Sequence, residues 1–173
     1  MNELLSVIQQ RPVPVVVYVG PRAAGARAGG AAAMLLASAH LRAAALDAGL
    51  GPAAPFDLGD EIDEVEVQLA THRLEELWPE AVVLADTTVT AEDLAGELDV
   101  VANGLEPLLV ELDGRTVATV AGEQTLRIRR DEVGVRFHSL GLVRRMLHAA
   151  TTPVFIYLLV AIGLALLLFE VFQ

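Results

Sequence analysis

Residues 153–172, PVFIYLLVAIGLALLLFEVF, hold a single charge, Glu170. Their length is about what ~30 Å of hydrocarbon demands of a helix. Inside a bilayer core no water satisfies peptide groups, so a run of this kind is expected to form a transmembrane helix. Pro153 suits its first turn, Tyr157 an interfacial position, and Glu170 lies near enough to the end to reach the headgroups. Ala161 and Ala165 make a small-xxx-small pair, which permits close helix packing, although ordinary lipid-facing alanine is the simpler reading.

The remainder is one domain's worth of chain, and its charged residues narrow the chemistry. All 12 basic residues are arginine; lysine and cysteine are absent. The missing cysteine removes disulfides, thiolate metal sites and a cysteine nucleophile, and the missing lysine removes an amine base or Schiff base. Net charge is -11, and fourteen of the 23 acids fall between Asp57 and Asp99, where Arg73 is the only cation. Nucleic acid is therefore not an expected partner, since phosphate binding needs a basic surface.

Hydrophobic patterning predicts an α/β domain. The start, MNELLSVIQQRPVPVVVYVG, has neither a basic leader nor a continuous apolar run, so no signal peptide is expected. Glu3 to Gln10 reads as helix, and Val15 to Val19 as a buried strand of a parallel sheet. Ala31 to Ala48 reads as one alanine-rich helix. The stretch LGPAAPFDLGDEIDEVE reads as a solvated loop and Glu66 to Leu77 as helix, with Thr90 as a cap and Leu98 to Ala102 as a short strand. Glu106 to Leu112 suits a helix closed by Asp113 and Gly114, RTVATVAGEQTLRIRR a β-hairpin around Ala121 and Gly122, and Phe137 to Leu147 an amphipathic helix beside the membrane.

Few residues form a chemical constellation. His40, His72, His138 and His148 stand far apart, so no metal or other cofactor is expected. The acids Asp60, Glu61, Asp63, Glu64 and Glu66 lack the glycine-punctuated order of a calcium loop and read as a solvated face. Ser38 and His40, two apart on the expected helix, point in different directions. Gly20, Gly25, Gly29 and Gly30 with Arg22 and Arg27 have the makings of an anion nest, yet their spacing fits neither a P-loop nor a dinucleotide fingerprint.

Five pieces taken in order, VPVVVYVGP, GARAGGAAAMLLASAHLRAAALDAGLGPAAP, VTAEDLAGELDVVANGLEPLL, LDGRTV and the apolar run, resemble the NfeD-type family of membrane-bound, ClpP-class serine proteases. The resemblance implies a partial ClpP/crotonase-like α/β fold with a small β-hairpin segment and one C-terminal transmembrane helix. The implied divisions are residues 1–112 for a truncated α/β domain, 113–137 for the hairpin segment, 138–152 for the juxtamembrane helix and 153–172 for the span. In the family a strand leads through a turn to a serine nucleophile at the start of a helix. Aligned on GARA and on His40 without a gap, that serine falls on Gly30. The family's lysine base and its oxyanion loop also have no counterpart.

The resemblance therefore implies a chain that is not an enzyme: a pseudoprotease with no catalytic residue, Gly30 marking the lost nucleophile, in which Gly30→Ser alone does not restore proteolysis. Its expected role is a scaffold or assembly subunit of a membrane complex. The expected partners are the lipid bilayer and other membrane proteins, with a stomatin-like (SPFH) protein implied by the family and a homo-oligomer compatible with it. The alternative is a membrane-bound serine-type peptidase or other hydrolase using a non-standard group, for which His40 with Thr71, Thr87 or Thr88 is the best pairing. Arg144 and Arg145 before the span favour a cell-membrane protein with its domain in the cytoplasm, whereas family analogy places the domain outside.

Overall fold

The structure is a computed structural model that describes residues 2–20, 25–55, 63–129, 133–134 and 153–172. The chain divides into two compact units, Met1–Val133 and Gly134–Gln173.

The first unit is built by repetition of two strands and a helix. After helix α1 (Asn2–Gln9) come β1 (Val16–Val19), β2 (Arg27–Ala28) and α2 (Ala31–Ala37). The pattern recurs as β3 (Leu41–Ala44), β4 (Gly49–Leu50) and α3 (Glu64–Leu77). A 3-10 turn at Pro79–Ala85, strands β5 (Val89–Thr90) and β6 (Val100–Val101) and helix α4 (Leu105–Leu112) follow. The first strands of these two repeats lie beside β6 in a parallel sheet of order β1-β3-β6. Their second strands join β5 in another sheet, β2-β4-β5, in which β5 runs antiparallel.

The expected strand at Val15 to Val19 is present as Val16–Val19 and parallel, an unbroken β-branched and aromatic run of which Val19 is buried and the rest half-buried. The single helix expected over Ala31 to Ala48 is corrected. It ends at Ala37, turns through Ser38, Ala39 and His40, and becomes β3. Alanine favours helix by only a few tenths of a kcal/mol over most residues, which pairing on both edges of β3 outweighs. Ala43 and Ala44, both 0% exposed, leave room for close packing on either face of that strand.

One face of the main sheet packs on α2 and α3 around Leu36, Leu50, Leu74, Trp78 and Leu84, all fully buried. The other carries Leu41, Ala43 and Val100 beneath α4 and a hairpin, β7 (Thr116–Thr119) and β8 (Gly122–Thr125). The hairpin turn falls on Val120 and Ala121, one residue before the expected pair, because Gly122 closes it with φ 101°. Val117 seats the hairpin in the core, and Gln124 Nε2 donates to Pro12 O at 2.6 Å.

Arg42 joins the ends of two helices. Its guanidinium donates to Leu77 O at 2.8 Å and Ala37 O at 3.3 Å, the last carbonyls of α3 and α2, and lies 5.0 Å over the Trp78 ring. Burial lowers its pKa from the usual guanidinium value, and Asp99 and Glu80 oppose the shift. Thr90 caps a series of turns rather than the expected helix, with Asp93 Oδ2 accepting from its N–H at 3.1 Å.

The second unit contains helix α5 (Pro153–Phe172), 20 residues long, at the position expected for the span. Its described side chains, residues 157–170, are exposed and almost wholly apolar. Among the described residues no helix is long and apolar enough to cross a membrane. The expected transmembrane span is thus not established by the described residues. Ala161 and Ala165 lie on this helix. The expected helix at 138–152, with Arg144, Arg145, His138 and His148, lies outside the described residues.

Candidate functional site

The turn between β2 and α2 has an uncommon backbone. Gly30, at the helix start, adopts φ 54° and ψ -124°. That region is open to glycine and costs another residue on the order of 1–3 kcal/mol. A strand, a sharp strained turn and a helix compose the elbow that lifts a nucleophile clear of its sheet in α/β hydrolases. The register that put the family's serine on Gly30 thus points to a residue with the elbow's backbone.

Contacts from the next unit hold the elbow. The Gly30 N–H donates to Pro52 O at 2.6 Å, and the Met34 N–H to Gly30 O at 3.3 Å. A Cβ on Gly29 would sit 3.4 Å from Gly51 O, whereas one on Gly30 would meet nothing within 4 Å. Residue 30 therefore presents bare backbone to open space. Among the described residues the N–H of Ala31 makes no hydrogen bond. In hydrolase elbows the N–H following the nucleophile donates to the oxyanion.

One helical turn further on, Met34 forms part of an apolar cleft of about 290 Å³. Leu5 of α1, Ala53 and Pro55 of the loop after β4, and Leu69 and Ala70 of α3 line it, with Glu66 and Arg73 at its polar side. Arg73 is paired with Glu76 at 3.0 Å. Sequence reading missed this cleft because three helices and a loop, separated by up to 68 positions from Leu5 to Arg73, converge only in the fold.

Other candidates do not converge on the elbow. Ser38 is buried and donates to Leu35 O at 2.9 Å within its own turn. His40 leaves the expected helix and accepts at Nδ1 from the Val15 N–H at 3.2 Å, which makes it part of the β1–β3 junction. Thr88 belongs to the other sheet's surroundings, where its hydroxyl donates to Gly51 O at 3.0 Å and accepts from Arg27 at 2.8 Å. Thr87 donates to Asp86 at 2.9 Å, and Thr71 lies on α3. No hydrogen bond links His40 to any of these threonines. Arg27 turns to Thr88 instead of the glycines, so the expected nest is not assembled from it. Of the acidic run, Asp63 caps α3 by accepting from the Val65 N–H at 3.0 Å; Asp60, Glu61 and Arg22 lie outside the described residues.

Repeated strand-strand-helix units, a parallel sheet and an elbow at a helix start define the ClpP-class α/β fold. Solved structures that share it include those of the 1510-N membrane-bound stomatin-specific protease. A lysine-to-alanine mutant in complex with a substrate peptide is 22% identical over 84% of this chain and 74% of that chain, with TM-score 0.64. A serine-to-alanine mutant is 22% identical over 81% and 75%, with TM-score 0.60. The protease specific for a stomatin homolog from Pyrococcus horikoshii is 23% identical over 87% and 74%, with TM-score 0.60. No family model and no curated relative matches the chain.

The NfeD-type, ClpP-class resemblance read from the sequence is therefore borne out in the fold. The expectation that the chain is not an enzyme is corrected: the structures sharing its fold are proteases. The missing serine and lysine bear on one mechanism, not on hydrolysis as a whole.

Proposed function

We propose that this chain is a membrane-associated, NfeD-like protein whose α/β domain holds an extended apolar segment of a stomatin-like (SPFH) membrane protein, as a scaffold or assembly subunit. The observation that carries this reading is the open elbow at Gly30 together with the apolar cleft that Met34 lines one helical turn further on. The similar protease holds a substrate peptide on the same fold, which supports the assignment of a peptide to it. On this reading Gly30 stands where the family carries its nucleophile, and α5 spans the bilayer once with Ala161 and Ala165 free to pack on a second helix. Arg144 and Arg145 ahead of the span favour a cytoplasmic domain.

The test is saturable binding of labelled apolar peptides, tiled along a stomatin-like protein, to the full chain in detergent. Gly30→Phe, which fills the space over the elbow, and Leu69→Glu, at a position already 57% exposed, should each weaken binding tenfold or more. No binding across the panel, or binding unchanged in both variants, refutes the reading.

A second reading is favoured by the protease identity of the similar structures: a membrane-bound serine-type peptidase or other hydrolase acting through a group other than a serine at position 30. Thr88 is the group to test; its hydroxyl, bonded to Gly51 O and Arg27 away from the elbow, has to leave both partners to act. Turnover of the bound peptide, abolished by Thr88→Val, is the expected result; an intact peptide after prolonged incubation sinks it.

A further inference from the structure

Helix α3 turns two charges toward the apolar cleft. Leu69, Ala70 and Arg73 follow Glu66 by three, four and seven positions, which places the four residues within about 100° of one another around the helix. All four line the cleft, and Ala70, 4% exposed, lies between the two charges. Only one of these charges is satisfied. Arg73 is bound to Glu76 at 3.0 Å. Glu66 is half-buried and makes no hydrogen bond or ion pair among the described residues.

The helix end offers Glu66 a partner that it does not take. With Asp63 as N-cap, Glu66 is the third residue of α3, from which a glutamate commonly reaches back to the cap residue's N–H. Asp63 caps the helix by accepting from the Val65 N–H, but Glu66 makes no return bond. Its carboxylate is therefore engaged neither by the helix end nor by Arg73, which stands ~10 Å away along the axis. Acids dominate the surrounding sequence: Arg73 is the only lysine or arginine between Asp57 and Asp99. A half-buried carboxylate at the side of an apolar cleft is costly to cover without a partner, and its complement is a cation.

We propose that the cleft takes an apolar segment that also carries a lysine or arginine, and that Glu66 is the residue that selects it. This rests on the peptide reading above and adds a charge requirement to it. In an extended segment residues i and i+2 face the same side, ~6.6 Å apart. Glu66 and Ala70 are separated by ~6 Å along α3. A segment lying along the helix with an apolar side chain over Ala70 therefore brings the residue two positions away over Glu66, while its immediate neighbours point out of the cleft. The recognised pattern is one apolar and one basic residue with a single residue between them. A wholly apolar segment would cover the carboxylate without pairing it, and that penalty is the source of selectivity.

The probe is the tightest-binding peptide of the stomatin-like panel, substituted at each position in turn by lysine and by glutamate and bound to the full chain in detergent. Both charges should cost most at one position, the residue over Ala70. Two residues from it, on one side, lysine should bind about tenfold more tightly than glutamate, because attraction and repulsion at a partly exposed pair each reach about threefold to fivefold. One residue away the ratio should stay within about twofold, since the general acidity of the domain is screened and acts on every position alike. Glu66→Gln, which keeps the side chain's shape, should bring the high ratio down to that of its neighbours, and Glu66→Lys should invert it. Glu75→Lys makes the same change of charge about half a turn round α3 and should leave the ratio as it is. A ratio equal at all positions, one unaltered in both Glu66 variants, or one inverted equally by Glu75→Lys overturns the role of Glu66 and leaves the peptide reading standing. Failure of every peptide in the panel to bind removes the peptide reading, and the cation requirement with it.

Discussion

Replacing Arg42 should cost more than replacing any other charged residue described. Arg42→Ala removes a charge-assisted bond to Leu77 O at 2.8 Å and a longer one to Ala37 O at 3.3 Å. Bonds of this kind contribute ~1.5–3 kcal/mol when well made, so the pair is worth about 3 kcal/mol, with the longer one at the low end. Loss of the Trp78 contact at 5.0 Å adds ~0.5–1 kcal/mol, and loss of a cation at two helix C-termini adds a similar amount. Against this stands relief of the cation's desolvation, which already lowers its pKa. The net expectation is a loss of ~2–4 kcal/mol. Arg42→Lys should recover at most half, because one ammonium lacks the planar fork that serves two carbonyls and a ring. Urea unfolding followed by circular dichroism and by Trp78, the chain's sole tryptophan, measures it. A loss below ~1 kcal/mol in Arg42→Ala, or full stability in Arg42→Lys, refutes the claim that this side chain ties α2 to α3.

Three glycines should separate steric from backbone cost. Gly51→Ala, at φ 84°, drives a Cβ into the Thr87 carbonyl and should lose more than ~3 kcal/mol or fail to fold; Gly30→Ala, strained but unobstructed, should lose ~1–2, and Gly29→Ala under ~1. Equal losses in the three would contradict the geometry. Tyr18 has its pKa raised from the usual phenol value, first by burial and then by Asp47, while its hydroxyl donates to Ala102 O at 2.8 Å. A raised pKa means that its contribution is complete below the unfolded value near 10 and is lost as pH rises through the folded one; Tyr18→Phe in a Tyr157→Phe background should remove that alkaline loss and cost ~1 kcal/mol at neutral pH. Asp93 is lowered by its bonds from the Thr90 hydroxyl and N–H, so its contribution is present above the unfolded pKa and lost as pH falls through the folded one. Carboxyl-carbon NMR should show Thr90→Val returning Asp93 toward the ordinary range, and an unmoved titration would count against the hydroxyl's role.

Local pattern made much of this fold legible. Val15 to Val19 reads as a buried parallel strand because its composition leaves few alternatives, and α1, α3, α4 and the hairpin follow from apolar spacing, caps and turn residues that act within a few positions of themselves. Residue identity also located Gly30 in register with a known nucleophile, and the absence of lysine is a property of the sequence alone. Alanine is where local reading fails. Its small side chain suits a helix by propensity and a twice-covered strand by packing, so the choice at Leu41–Ala44 falls to partners 25 residues upstream and 57 downstream, counted from Val16↔Leu41 and Ala43↔Val100. The backbone angles of Gly30 and the cleft joining Leu5 to Arg73 are likewise long-range. Each depends on which segments lie beside one another, a relation that hydrogen bonds and burial establish only once the chain has closed on itself.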